Sequence, residues 1–103
     1  MADMPDGLGE AGTALWSDVT SRFDLDAEDA ALLRAAAQTV DLIEALRVTI
    51  EAQGVTVAGR VSPAVAEHRQ QSRTLAALLH QLGIPGEVEN RNPVRRRNLA
   101  PVA

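Results

Sequence analysis

The sequence predicts an all-α fold. A short N-terminal helix precedes a long central helix, and a third helix folds back on the central one as an antiparallel helical hairpin. Gly59 is placed to turn a small β-hairpin at the bend, and a disordered basic tail follows. Three observations predict this. Apolar residues recur at intervals of three and four over most of the chain, the helical period. Gly54 and the pair Gly83 and Pro85 stand where the two long periodic stretches end. "GVTVAGRVSP" (residues 54–63) is the only stretch of strand-like composition.

Residues 1–8 carry Asp3, Pro5, Asp6 and Gly7 without periodicity and are expected to form a disordered leader. The first helix is expected to start between Gly9 and Thr13. Leu15, Val19 and Phe23 recur every four residues with Trp16 beside them, giving one apolar face, and "FDLD" ends it. Asp26 suits the N-cap of the second helix, with Glu28 and Asp29 in the first turn, where the helix dipole favours negative charge. No glycine or proline then interrupts until Gly54. About 27 residues at 1.5 Å rise make a rod of roughly 40 Å. One seam along it uses Leu33, Ala36, Val40, Ile43 and Ile50; the other uses Leu32, Ala36, Ile43, Leu46 and Ile50. The combined band is wider than a single neighbouring helix covers, which favours contact with a second copy.

Ser62 caps the third helix, with Pro63 at its first position, where a missing N–H does no harm. Val65, His68, Ser72, Leu75, Leu79 and Leu82 keep heptad spacing, polar in the first half and leucine-rich in the second. Gly83 suits the left-handed stop, Ile84 packs back, and Pro85 prevents continuation. The chain thus divides into a leader (1–8), a helical oligomerisation domain (9–85) and a flexible basic tail (86–103).

At 103 residues one domain is the expectation, and the only aromatics are Trp16 and Phe23, so a single-chain core is thin. Cysteine is absent, which excludes disulfides and thiolate chemistry. No apolar run approaches the roughly 20 residues that span a bilayer. The net charge of −4 conceals a division. Residues 1–53 carry eleven acids and three arginines, whereas residues 54–103 carry three acids and seven arginines. One end is therefore suited to a polyanion or an acidic partner.

Several constellations carry no chemistry. "GLGEAG" (7–12) has the G-x-G-x-x-G spacing of a dinucleotide-binding turn, but no strand precedes it and no parallel strand follows. His68 and His80 lie more than three turns apart on one helix and cannot share a metal. Ser17, Ser21, Ser62 and Ser72 lack a nucleophile elbow or a base. Asp41, Glu44 and Glu51 are spaced as a solvated face. No enzyme, metal or cofactor is expected. Arg60, Arg69 and Arg73 differ. Arg69 and Arg73 are i, i+4 neighbours, and Arg60 lies just before their helix. They form either a phosphate-contact surface or intrachain pairs with Glu67 and the acids of the second helix.

Three segments in order carry a resemblance. They are "GEAGTALWSDV", then "LDAEDAALLRAAAQTVDLIEALRVTIEAQGVTV", then "SPAVAEHRQQSRTLAALLHQLGIP". The set resembles the phage terminase small subunit of the P27 type, whose third helix opens on Asn-Pro-Ala and closes on Leu-Gly. Ser62 replaces that asparagine, the loop at 55–61 is short, and the tail departs from the family's serine–arginine ending. The resemblance implies a non-catalytic, ring-forming adaptor of viral genome packaging. Such an adaptor recognises double-stranded viral DNA and presents it to the large terminase subunit in the host cell cytoplasm. On that reading Arg60, Arg69, Arg73, Arg95, Arg96 and Arg97 meet DNA or the large subunit. Leu33, Ala36, Val40, Ile43, Leu46, Ile50, Leu75, Leu79 and Leu82 meet neighbouring copies. The alternative is a helical-hairpin protein–protein adaptor without DNA binding.

Overall fold

A computed structural model describes residues 3–84 and 99–102. The elements run α1 (Glu10–Arg22), β1 (Phe23–Asp24), α2 (Ala27–Gln53), β2 (Thr56–Val57), β3 (Arg60–Val61), α3 (Pro63–Leu82) and β4 (Ala100–Pro101). The two long helices pack on one another as the expected hairpin, and α1 lies against α2. The molecule measures 53 × 34 × 18 Å, so the hairpin sets its length.

Local chemistry fixes the helix ends. A reciprocal capping box opens α2: the Asp29 N–H donates to Asp26 Oδ1 at 2.7 Å, and the Asp26 N–H donates to Asp29 Oδ2 at 3.2 Å. Gly54, with φ +86°, stops it and donates its N–H to the Ile50 carbonyl. Ser62 accepts from the Ala64 N–H to open α3, and Gly83 closes that helix in the left-handed conformation. Between them Thr56 pairs with Val61 and Val57 with Arg60 across the turn Ala58–Gly59. Both turn residues have positive φ, +53° at Ala58 and +78° at Gly59, as a two-residue hairpin of type I′ requires. Glycine adopts this freely; Ala58 does so under strain.

The start of α1 is held differently. Its N-cap is Gly9, which has no side chain to satisfy the first N–H groups. Asp41, from the middle of α2, does so instead. Its carboxylate accepts from the Gly9 N–H and from the Gly12 N–H, both at 2.7 Å. One side chain thereby takes both donors that a capping box shares between two. A Cβ on Gly12 would lie 2.6 Å from the Ala37 carbonyl oxygen and would also strike the Asp41 carboxylate. The glycines of "GLGEAG" at positions 9 and 12 therefore serve helix contact. The expectation that Asp41 belongs to a solvated face is corrected here; Glu44 and Glu51 do lie on the exposed side.

The core gathers at one end of the hairpin. Trp16 and Val19 from α1, Leu33 from α2 and Leu82 from α3 form it with Ile84 and Leu99, and Leu8, Leu15, Phe23, Leu25 and Leu79 pack around it. Leu8, assigned by sequence to the leader, thus contributes to the core, just after the turn at Gly7. The tail expectation is corrected at residues 99–102. Leu99 is 4% exposed and donates its N–H to the Gly83 carbonyl. β4 pairs antiparallel with β1, and the Val102 N–H reaches the Arg22 carbonyl at 2.8 Å. One buried leucine and a few backbone bonds bind this segment to the ends of α1 and α3.

Two substitutions test this architecture. Leu99→Ala should lower the free energy of unfolding by about 2–4 kcal/mol in a urea titration, as for other buried leucines. Gly12→Ala should lower it by about 1–3 kcal/mol, because contact with a fixed carbonyl and a charged hydrogen bond outweighs the roughly 1 kcal/mol of helix propensity that alanine adds.

Candidate nucleic-acid interface

The positive ends of the three helices are treated unequally. α1 begins at Glu10 with Asp41 against its first N–H groups, and α2 begins at Asp26, Glu28 and Asp29. α3 has no acid in its first turn and is capped only by the neutral Ser62 hydroxyl, which is buried. Glu67 is the only carboxylate in α3, and it accepts a hydrogen bond from Gln71 at 2.8 Å.

The arginines divide in a similar way, with the exception of Arg34, which lies on α2 near Trp16, is exposed and makes no ion pair among the described residues. Arg22 pairs with Asp18 at 3.1 Å and lies over the Phe23 ring. Arg47 holds Glu44 through two guanidinium nitrogens, at 3.0 and 2.6 Å, and also reaches Glu51. Its hydrogen bond keeps the Glu44 carboxyl below the usual range, and the two acids push the guanidinium higher still. In contrast, Arg60 on β3 and Arg69 and Arg73 on α3 are exposed, and none makes an ion pair among the described residues. Of the two readings that the sequence left open, intrachain pairing is not the arrangement these side chains adopt. Arg95, Arg96 and Arg97 lie outside the described residues.

Residues assigned to copy–copy contact fall into two groups. Leu33, Ala36 and Leu82 are fully buried within the protomer, so they hold the protomer together and are not available to a neighbour. Val40, Ile43, Leu46, Ile50, Leu75 and Leu79 are half-buried. From residue 40 to residue 81 only Ser62 is buried, so the outer half of the hairpin is an arm with no sealed core. Leu42, Val48, Val55, Val57 and Val61, which sequence reasoning did not single out for contact, are exposed there. The three valines had a readable signal in their strand propensity; Leu42 and Val48 fall off both seams and had none.

His68 and His80 are half-buried on α3. Among the described residues no three or more His, Cys, Asp or Glu side chains converge as a metal site. Two shallow open hollows share Ala31 on α2, one beside Gln81 and the other beside Trp16 and Arg34. Their linings include none of the α3 arginines. Among the described residues no helix is long and apolar enough to cross a membrane. Compared with known proteins, the chain matches no family model, no curated relative and no solved structure.

Since Arg69 and Arg73 make no ion pair among the described residues, the double variant Arg69→Ala/Arg73→Ala should keep the wild-type unfolding free energy to within about 0.5 kcal/mol. Relief of like-charge repulsion at i, i+4 acts in the stabilising direction. Far-UV circular dichroism during a urea titration checks both amplitude and midpoint.

Proposed function

We propose that this protein is the small terminase subunit of a tailed phage or prophage. It is a non-catalytic adaptor that assembles into a ring, holds double-stranded viral DNA and presents it to the large terminase subunit for packaging. The observation that carries the reading is the set of exposed arginines at and beyond the bend, Arg60, Arg69 and Arg73, which make no ion pair among the described residues. The ordered sequence resemblance over residues 8 to 85 supplies the family. The half-buried arm supports assembly, because Val40, Ile43, Leu46, Ile50 and Leu75 find incomplete cover in one protomer. A ring would repeat each weak guanidinium contact around a central axis, which lets a chain of net charge −4 hold a polyanion.

The exposed valines of the bend favour a second reading. Val55, Val57 and Val61 are 58%, 45% and 62% exposed, and a protein partner would cover them better than DNA. On that reading the chain is a helical-hairpin adaptor that binds another protein and no nucleic acid.

Two measurements separate the readings. Light scattering on the purified chain should give the mass of many subunits for the ring; a monomer or a dimer at high concentration overturns it. A gel shift with duplex DNA should show binding that weakens steeply from low to moderate salt. No shift at the lowest salt favours the protein adaptor.

A further inference from the structure

Resting on the duplex-binding reading, we infer that α3 grips DNA along its sugar–phosphate backbone and does not read bases, with Arg69 and Arg73 as the anchoring pair and Arg60 beside them. A helix that reads base edges inserts its N-terminal residues into the major groove, and these carry amides or guanidiniums that match the exposed donors and acceptors. The first turn of α3 is Pro63, Ala64, Val65 and Ala66, and none has a side chain that can form a hydrogen bond. Pro63 also lacks an N–H, and the Ala64 N–H is already held by Ser62. The leading end of the helix therefore has nothing with which to discriminate one base pair from another.

The solvent side further along is built for close electrostatic approach. Arg69 and Arg73 stand one turn apart, about 6 Å along the axis, a separation that long guanidinium side chains can match to neighbouring phosphates of one strand. Ala66, Ala76 and Ala77 are exposed and short, so the rod presents no bulk to either side of the pair. The sole carboxylate of the helix, Glu67, is occupied by Gln71. Gln70 is the one exposed amide between the arginines. Affinity built this way comes from counterion release and is indifferent to sequence.

Fluorescence anisotropy with two duplexes of equal length and unrelated sequence tests this across a salt series. The wild-type protein should bind both alike, within about threefold. Arg69→Ala/Arg73→Ala should lower the slope of log K against log salt by about 2 per subunit engaged, since each lost phosphate contact removes about 0.9. Arg69→Lys/Arg73→Lys should retain the wild-type slope, because a point charge suffices for a phosphate but not for bidentate pairing with guanine. An unchanged slope in the alanine variant overturns the inference. So does a lysine variant that fails on one duplex alone. Absence of wild-type binding to either duplex at the lowest salt overturns the duplex reading itself, and the inference with it.

Discussion

One carboxylate joins the short helix to the hairpin. Asp41 accepts from Gly9 and Gly12, thirty-two and twenty-nine residues away, and so completes the start of α1 from the side of α2. The contact requires glycine at position 12, where a Cβ would meet both the carboxylate and the Ala37 carbonyl oxygen; at position 9 a Cβ would press on the carboxylate alone. It also sets how closely α1 can lie on α2, and thereby whether Trp16 and Val19 cover Leu33. A chain with so few large apolar residues depends on that cover. Charge-assisted hydrogen bonds to a helix start are among the stronger polar contacts available. Here two of them replace a local cap and a tertiary contact at once.

Elements that depend on neighbouring residues were legible in the sequence. Asp26, Gly54, Ser62 with Pro63, and Gly83 mark the helix ends because each cap acts within a few residues of itself. Gly59 marked the bend for the same reason. What stayed hidden acts across the chain. Nothing near Asp41 links it to glycines some thirty residues earlier, so its spacing with Glu44 and Glu51 read as a solvated face. Leu99 is a single leucine after a basic stretch, and its place depends on distant elements, the Gly83 carbonyl and the core residues it packs among. The seam residues were identified as apolar, but periodicity does not tell whether Leu33 and Leu82 are covered by their own chain or by another. The arginines of α3 were legible as a pair; that they make no ion pair among the described residues depends on where the acids lie in space.

Charge and shape are distributed along the hairpin together. The end that contains α1 has Glu10, Asp26, Glu28, Asp29 and Asp41 at helix starts and its core sealed by Trp16, Leu33, Leu82 and Leu99. The arm has exposed valines, half-buried seam residues and Arg60, Arg69 and Arg73, which make no ion pair among the described residues. Stability and surface for partners are therefore separated, with one end serving each. Substitutions on the arm's arginines leave the sealed end untouched.

The uneven burial gives a single pair of helices a gradient of cohesion. Opening the arm near the bend breaks backbone hydrogen bonds but uncovers no sealed core, so local unfolding there requires much less free energy than global unfolding. The two ends of the hairpin thus behave as different cooperative units. A partner that fastens the arm must offset lost conformational entropy through its contacts, since it quiets a segment that would otherwise open and close while the rest stays folded.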